Sequence, residues 1–509
     1  MSVNDGAVDS GLVDAIGADL RSAGYTTDGV AGLLGDAGAA LDRGVWWPVL
    51  RVTHAAPAEQ RRLAVLVRLL LLGTEEPAES VGEAFPSSSV AALVQSGVLE
   101  FTGGGADDGD KVRSVLDIRP HSDGTRDFYV VSDQDAALRR GPLRREHVLG
   151  IGGASVSLAR AVTRNPVGRA LDLGTGCGIQ ALHLDAHCDE IVATDTNERA
   201  LALAAMTARL NGMSWDLRCG SMFEPVAGER FDLIVSNPPF VVGSGARDYI
   251  YRDSGLVGDT LCQNLIEQIG GYLNPGGTAH IMANWIVRDG PEGAEWQDRV
   301  RGWLAGTGLH AWVVQRELAD PLSYVSLWLA DAGEDLERQA DRGGQWLDWF
   351  SEQGICGVGM GMISLRVPRD GESPEQVLEE ITGADEALTG FEVDAFFARR
   401  AYLRDTGNDA LLAARLSTAP VFLEEQSLPG PDGWQQVGAA VRRPGGPAAV
   451  IGVDEVLRAL LAGCRGEVPL GTLIDLLAAH HGVDADALAQ AALPEIREAI
   501  GRGILYQAE

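Results

Sequence analysis

The sequence has little positive charge and no long apolar run, and both features reduce the number of function classes that fit it. Lysines and arginines number 41 against 72 aspartates and glutamates, which gives a net charge of −31 over 509 residues. Proteins that wrap long duplex nucleic acid usually carry a positive field, so a nucleic-acid substrate would have to be met by a local patch. No apolar run reaches the ~18 residues of a membrane span, and Arg68 interrupts the longest candidate, 63–73. We therefore expect no membrane partner.

Closely spaced cysteine pairs are also missing. The six cysteines stand at positions 177, 188, 219, 262, 356 and 464, and no two have the CxxC spacing of zinc or redox motifs. The start, MSVNDGAVDSG, lacks the basic residues and the apolar core of a secretory leader. Free thiols in a chain without an export signal predict that the protein is located in the reducing cytoplasm. The cysteine spacing predicts no metal site.

Length and apolar content predict a chain of several folded domains. At roughly 100–200 residues per domain, a chain of this length holds about three or more. Alternating strand and helix patterns in its middle predict a mostly parallel sheet with helices on both faces. The predicted parts are a helical N-terminal domain (1–104), a β-hairpin linker (105–147), an α/β domain (148–330), an α+β accessory region (331–449) and a winged-helix-like C-terminal module (450–509).

Several elements are predicted from apolar spacing and turn residues alone. Asp123-Gly124 is expected to form the turn of the hairpin. The other local predictions are a helix capped by Thr27 and running to Leu41, single strands at 112–118, 325–329 and 357–367, and helices at 453–462, 470–480 and 494–502.

The sharpest local signal is the stretch 170–179, ALDLGTGCGI, in which a strand leads into glycines and then a helix. Glycines let the backbone pass close to a ligand and adopt positive φ values. Amides at the following helix start attract polar groups. Asp195 ends the next strand 23 positions after Asp172, the spacing of an acid that binds ribose hydroxyls. By itself a glycine loop also fits a dinucleotide site or a tight structural turn.

A second signal, LIVSNPPF at 233–240, places a polar motif at the end of an apolar strand. A planar amide or aryl amine is a poor nucleophile because its lone pair is delocalised. The side-chain oxygen of Asn237 and the carbonyl of Pro238 can accept its two N–H bonds and orient it. Two prolines stiffen this backbone, and Phe240 can lie against a flat acceptor. The motif therefore predicts catalysis by positioning, with Asn237, Pro238, Pro239 and Phe240 as the catalytic residues.

Together these motifs resemble those of the Rossmann-like class I S-adenosylmethionine-dependent methyltransferases. The acid before the glycines in DLGTGCG is typical of their first motif and is absent from the dinucleotide fingerprint. The resemblance implies S-adenosyl-L-methionine as the cofactor, with its methionine part at Asp172 and the glycines, its ribose at Asp195 and its adenine beside Ser221 and Met222. The candidate cofactor residues are Gly153, Asp172, Gly174, Thr175, Gly176, Gly178, Asp195, Thr196, Ser221, Met222 and Asn237.

The (N/D)PP(F/Y/W) motif places this resemblance in the amino-methyltransferase group. Residues 148–285 resemble the HemK/PrmC-type glutamine methyltransferases and the RsmC/RlmG-type rRNA guanine methyltransferases. The segment CGSMFEP at 219–225 is similar to one in the glutamine enzymes, although Ser221 replaces the usual acid. Phe240 stands where those enzymes usually have Tyr, and Phe is frequent in the rRNA group. His147 to Ser155, which includes Gly153, occupies the place of the segment that closes over the cofactor.

The acceptor is left open between several classes of substrate. A nucleobase amine in structured RNA is favoured by Phe240, by winged-helix-like patterns at both ends of the chain and by an arginine cluster at positions 139, 140, 144 and 145, and is opposed by the net charge of −31. A protein glutamine, as in release factors, is favoured by the FEP segment and the acidic composition. A small molecule, or cofactor binding without catalysis, are further alternatives. The segment 241–259, with Tyr249, Tyr251, Arg252 and Asp253, is a candidate substrate lid, and no oligomeric state is predicted.

Overall fold

The computed structural model divides the chain into two compact units, which are described separately. The first comprises Met1–Ala159, Asn165–Trp312 and Glu317–Gln376, and the second comprises Arg160–Arg164, Val313–Arg316 and Val377–Glu509. The structure describes residues 8–41, 43–102, 110–135, 138, 143–246, 250–290, 295–331, 336–381, 386–431, 433–447 and 449–508.

The chain begins with a helical region, as its apolar spacing predicts. Thr26 rather than Thr27 caps the second helix, because its hydroxyl accepts a hydrogen bond from Gly29 N at 3.0 Å. This helix ends at Leu34, where Gly35 adopts a φ of +50°, and so does not continue to Leu41. The helices are α1 (Ser10–Ser22), α2 (Thr27–Leu34), α3 (Gly38–Leu41), α4 (Trp47–His54), α5 (Arg61–Leu66), α6 (Ala78–Ala84) and α7 (Val90–Gln95), with 3-10 turns at Gly35–Ala37 and Ala58–Gln60 and a π turn at Val67–Leu71.

Short antiparallel strands connect this region to the rest of the unit. β1 (Glu76–Pro77), β3 (Lys111–Ser114) and β2 (Leu99–Phe101) form one sheet in that order. The single strand predicted at 112–118 is two strands, because β4 (Leu116–Ser122) leaves that sheet to pair with β5 (Asp127–Asp133). The hairpin turn is the predicted one. Gly124 has a φ of +92°, and the Asp123 carboxylate accepts from Thr125 N and Arg126 N at 2.8 Å.

A twisted sheet at the centre of the first unit confirms the predicted Rossmann-like class. Its strands follow the order β11-β12-β10-β9-β6-β7-β8, in which β8, β7, β6, β9 and β10 are parallel and β12 is antiparallel to β10. The middle strands are buried on both faces, as parallel strands covered by helices are. The elements are α8 (Gly153–Ala161), β6 (Val167–Leu173), α9 (Ile179–Leu184), β7 (Cys188–Asp195), α10 (Glu198–Leu210), β8 (Asp216–Cys219), β9 (Phe231–Ser236), α11 (Thr260–Ile269), β10 (Leu273–Arg288), α12 (Trp296–Leu304), β11 (His310–Ala319), α13 (Pro321–Asp331), α14 (Leu336–Glu352) and β12 (Ile355–Arg366), with 3-10 turns at Glu224–Val226 and Gly270–Tyr272.

The prediction of a strand at 325–329 is wrong, because these residues lie in helix α13. The apolar run suggested a strand, but the residues before it start a helix: Pro321 is its first residue, and Asp320 accepts from Ser323 N at 3.0 Å. Val325 and Leu329 fall on the same helical face and are buried together. The predicted strand at 357–367 exists as β12, but it completes the central sheet rather than an accessory region.

The second unit is a mixed α/β body with its own core. Helices are found where the C-terminal pattern predicts them, except that the last begins at Ala485 and carries Pro494 inside it. Asp484 caps this helix by accepting from Ala487 N at 2.9 Å. The winged-helix-like assignment remains a prediction. The elements are β13 (Gln376–Glu380), α15 (Gly390–Asp405), α16 (Asn408–Ala413), β14 (Arg415–Thr418), β15 (Phe422–Gly430), β16 (Gly433–Arg442), β17 (Val450–Gly452), α17 (Glu455–Gly463), β18 (Arg465–Pro469), α18 (Leu470–His481), α19 (Ala485–Gly501) and β19 (Leu505–Gln507), with sheets β18-β14-β19 and β15-β16-β17.

Candidate functional site

The carboxyl ends of β6, β7 and β9 open onto a cavity of about 290 Å³. Ligands of open α/β sheets bind at this edge, where the strand order reverses on either side of the first strand. The cavity brings together most of the residues singled out from the sequence. Those on its wall are Gly174, Thr175, Gly176, Asp195, Thr196, Ser221, Met222, Asn237, Pro238, Pro239 and Phe240.

The glycine loop presents bare backbone to this cavity. Gly174 and Gly176 adopt φ values of +78° and +56°, which favour glycine, and a Cβ on either would meet no atom within 4 Å. Gly174 N and Thr175 N both donate to the carbonyl of Thr194 at 2.9 Å, which fixes the loop to β7. Gly174 and Gly176 therefore form a cradle of exposed backbone with open space in front of it, which a bound cofactor requires.

Asp172 lies beneath this loop and is absent from the cavity wall. One carboxylate oxygen accepts from the Thr175 hydroxyl at 2.7 Å and from Ala181 N at 3.0 Å, so it joins the strand, the loop and helix α9. The side chain is fully buried, and burial raises its pKa to about 7. Asp172 therefore shapes the loop from beneath, and its contact with the methionine part of a cofactor stays a prediction.

Two predicted cofactor glycines also stand away from the cavity wall. A Cβ on Gly178 would come within 2.7 Å of the Trp215 ring, and its φ is +85°, so close packing and backbone conformation explain this glycine. Gly153 is the first residue of helix α8, and its neighbours Ala154 and Ser155 reach the wall instead.

Asp195 ends β7 with its carboxylate at the cavity. One oxygen accepts from Gly176 N at 2.9 Å and the other from Asn197 N at 2.8 Å, and burial raises its pKa. The backbone N–H of Thr196 also bonds to this carboxylate, which has about four acceptor sites, so about one remains for a ligand hydroxyl. The Asp195 carbonyl accepts from Gly220 N at 3.0 Å, which places Ser221 and Met222 beside it. Met222 has a φ of +51°, in the left-handed region that bulky residues rarely adopt.

The NPPF motif follows β9 directly into the cavity. Ser236 donates its hydroxyl to the Leu173 carbonyl at 2.8 Å, which ties the motif to the glycine loop. The side-chain nitrogen of Asn237 donates to the Ser155 hydroxyl at 3.2 Å. Its side-chain oxygen is buried and has no hydrogen-bond partner among the described residues. A buried acceptor is costly unless a ligand satisfies it, so this oxygen marks a binding position.

Phe240 faces an aromatic side chain that the sequence analysis missed. Its ring and that of Trp328 are edge to face, with centroids 6.0 Å apart, and both line the cavity. Trp328 lies on α13, in the run misassigned as a strand, so the helical cap at Asp320 was the signal that would have revealed it. Ser155, the partner of Asn237, was likewise outside the predicted set.

The candidate lid packs over the cavity as an ordered segment where it is described. Arg252 is buried and donates to the Trp328 carbonyl at 2.5 Å, while Gly258 N donates to the Gly243 carbonyl at 2.8 Å. Tyr251 meets His147 edge to face at 6.1 Å. Of the predicted lid residues, Tyr249 lies outside the described part of the chain, as do Arg139 and Arg140 of the arginine cluster.

A buried carboxylate holds the segment 146–148, which lies beside the lid at the cavity. Asp133 accepts from Val148 N at 3.0 Å and from Arg199 Nε at 2.9 Å, and His147 lies 3.8 Å from it. Burial alone would raise the pKa of Asp133, but Arg199 and Val148 N lower it overall. An ionised Asp133 therefore connects the hairpin, the segment 146–148 and helix α10.

Comparison with known proteins identifies the part of the chain that holds this cavity. Residues 150–288 match the family described as "Methyltransferase small domain", and residues 22–109 and 394–507 match two described as domains of unknown function, DUF7059 and DUF7782. The release factor glutamine methyltransferase of Geobacter sulfurreducens is 35% identical over 135 residues, which are 24% of this chain and 48% of that protein. The ribosomal RNA small subunit methyltransferase C of Salmonella arizonae is 31% identical over 137 residues, 26% of this chain and 36% of that protein.

These matches confirm a class I methyltransferase domain that uses S-adenosyl-L-methionine, as the motifs predicted. The chain spans about half, or less, of the length of these curated relatives. A solved structure of the Thermus thermophilus 16S rRNA N2 G1207 methyltransferase is also similar, at 17% identity and a TM-score of 0.25, over 41% of this chain and 55% of that one. So low a score supports no further conclusion.

No group of three or more His, Cys, Asp or Glu side chains among the described residues is arranged to hold a metal ion. No helix in the described part of the chain is long and apolar enough to cross a membrane.

Asp172→Asn should change how the free energy of unfolding depends on pH. In the unfolded chain this carboxyl ionises near pH 3.8, but in the folded protein it ionises near pH 7. The folded state therefore binds the extra proton, and this residue lowers stability as pH rises from about 4 to 7, by at most about 1.4 kcal/mol per pH unit. Urea unfolding of the variant at pH 5, 6 and 7 should show a smaller loss of stability with rising pH. Asp189→Asn, an exposed change nearby, is the control, and equal slopes in wild type and Asp172→Asn would contradict the assignment.

Asp195→Ala should weaken the binding of S-adenosylhomocysteine at least about tenfold, because charge-assisted hydrogen bonds to the ribose are lost. Asp195→Asn keeps one acceptor oxygen and should therefore lose less affinity for S-adenosylhomocysteine than Asp195→Ala. Titration calorimetry measures both, and Glu198→Ala, an exposed acid three residues later, should bind like the wild type. Unchanged affinity in Asp195→Ala would remove this residue from the ribose-binding role.

Proposed function

We propose that the chain is an S-adenosylmethionine-dependent N-methyltransferase whose acceptor is a planar nitrogen. The observation that carries this proposal is the buried side-chain oxygen of Asn237, which has no hydrogen-bond partner within the described residues and lines the cavity beside the glycine loop. An N–H donor on the acceptor would satisfy this oxygen. The cradle at Gly174 and Gly176, together with the carboxylate of Asp195 on the cavity wall, fits the cofactor on the other side of the cavity.

The motif would act by orienting the acceptor. Asn237 Oδ1 and the carbonyl of Pro238 each accept one N–H, so the nitrogen lone pair is turned out of conjugation and towards the methyl group. Pro238 is buried and Pro239 fixes the next φ angle, which keeps the carbonyl in place. Ser155 holds the Asn237 amide in the orientation that leaves its oxygen for the acceptor. Bound S-adenosylmethionine supplies an electrophilic methyl group at this position.

The aromatic side of the cavity favours a nucleobase amine in RNA as the acceptor. Phe240 and Trp328 present two rings edge to face, so a flat base can lie against the face of one ring and meet the other at its edge. Arg144 and Arg145 are exposed next to the cavity segment that begins at His147, and the Arg145 carbonyl accepts from Ile250 N of the lid. These cations are the local positive charge that an RNA substrate requires in an acidic chain.

A glutamine side chain of a protein is the second candidate acceptor. Its amide is also a planar nitrogen and would make the same two bonds to Asn237 and Pro238. The relative at 35% identity is named a release factor glutamine methyltransferase, and the net charge of −31 suits a basic protein partner better than RNA.

Asn237→Ala should reduce turnover by two or more orders of magnitude, because the acceptor loses a hydrogen bond that sets its orientation. Binding of S-adenosylhomocysteine should change less than about threefold, since Asn237 contributes little to cofactor affinity. Asn237→Asp keeps an acceptor oxygen and should retain more activity than the alanine variant. Full turnover in Asn237→Ala would refute the proposed acceptor geometry.

The class of acceptor is tested with tritium-labelled S-adenosylmethionine. The full chain is incubated with lysate from a strain that lacks it, and portions are treated with ribonuclease or with protease. Label released by ribonuclease supports the RNA acceptor. Label released by protease alone contradicts it and supports the glutamine candidate. Asn237→Ala protein is the blank in both treatments.

A further inference from the structure

A second cavity adjoins the first, and no match to a known protein assigns it a ligand. It encloses about 170 Å³ and shares Val241, Arg252, Asp253 and Ser254 with the wall of the first cavity. Its remaining wall comes from residues 243–246, from Leu256 and from helix α14. A substrate that reaches the Asn237 oxygen therefore lies beside this second space.

The wall of the second cavity offers donors that suit an anion. Arg342 and Gln345 on α14 and the hydroxyls of Ser244 and Ser254 line it, and Arg342 is half-buried rather than extended into solvent. The Asp253 carboxylate is also on the wall, but it lies 3.4 Å from Arg252 Nε. The described wall thus holds two guanidinium groups and one carboxylate, in a chain of net charge −31. Guanidinium groups bind phosphate through paired hydrogen bonds.

This wall is formed before any ligand arrives. The Trp346 indole N–H donates to the Val242 carbonyl at 3.0 Å, which joins α14 to the segment after the NPPF motif. On the other side, Arg252 is fixed by its hydrogen bond to the Trp328 carbonyl. A pre-organised wall loses little conformational entropy on binding, so its few polar contacts contribute more to affinity.

We propose that the second cavity binds a phosphate group of an RNA strand whose target base enters the first cavity. The proposal rests on the RNA acceptor proposed above and adds a positioning site to it. Phosphate contacts set the register of a nucleic acid without reading its sequence. Arg342 would hold the backbone, and the region of Asn237 and Phe240 would receive the base. The two cavities together accept a nucleotide rather than a base alone.

The test compares nucleosides with nucleotides on the full chain saturated with S-adenosylhomocysteine. Titration calorimetry measures the affinities of the four ribonucleosides, their 3′- and 5′-monophosphates and inorganic phosphate. The variant is Arg342→Gln, which removes the charge but keeps a polar side chain. The control is Arg338→Gln, an exposed change one turn earlier on the same helix and outside the cavity wall. Thermal unfolding checks that both variants are folded.

We expect the wild type and Arg338→Gln to bind one monophosphate at least about tenfold more tightly than its nucleoside, as for a charge-assisted contact. Arg342→Gln should lose that advantage while its affinities for the nucleoside and for S-adenosylhomocysteine stay unchanged. If a nucleoside binds and its phosphate brings no advantage that depends on Arg342, the phosphate site is refuted and the RNA acceptor stands. If no nucleoside or nucleotide binds, even where inorganic phosphate binds, the RNA acceptor itself fails, and this proposal fails with it.

Discussion

The architecture of the site depends on the buried carboxylate of Asp172. This side chain, at the end of β6, accepts hydrogen bonds from the Thr175 hydroxyl and from the first turn of α9. It is fully buried, so solvent does not stabilise its charge. The glycines can then leave their backbone uncovered, because the loop is fixed from below rather than by contacts across the cavity. Because ionising a buried acid costs free energy, the arrangement that fixes this loop lowers the stability of the folded protein.

The acceptor side depends on a different constraint, which is the need to satisfy backbone groups where the chain leaves the sheet. After the NPPF motif, Val242 has no strand partner among the described elements. Its N–H donates to the Tyr324 hydroxyl at 2.9 Å, and its carbonyl accepts from the Trp346 indole at 3.0 Å. Both side chains come from the helices α13 and α14 between β11 and β12. These two helices also place Trp328 and Arg342 on the cavity walls. They therefore both satisfy the backbone after the motif and form part of the surface that would meet the acceptor.

The cofactor side could be predicted from sequence because its signals are local. The glycine loop and Asp195 lie at the ends of neighbouring parallel strands, and alternation of strands and helices fixes which edge they share. The acceptor side combines residues far apart in the chain, such as Asn237, Ser155 and Trp328, which no single period reveals. The run 325–329 shows the limit: its apolar residues fit a strand as well as a helix face, and the cap at Asp320 with packing against the segment after the motif selects the helix. For Asp172 and Gly178 the motif gives the position in the loop but not the direction of each residue, and neither is on the cavity wall.

Charge is distributed in a way that bears on how any RNA would be held. The chain as a whole repels a phosphate backbone, whereas Arg144, Arg145 and Arg342 lie at the rim or wall of the cavities. Salt screens the long-range repulsion within about 8 Å at physiological ionic strength but weakens close contacts less when they are partly buried. A half-buried guanidinium such as Arg342 would therefore retain more of its attraction than the exposed pair. If the acceptor is RNA, its selection would then depend on its fit to the cavities rather than on the net charge of the chain.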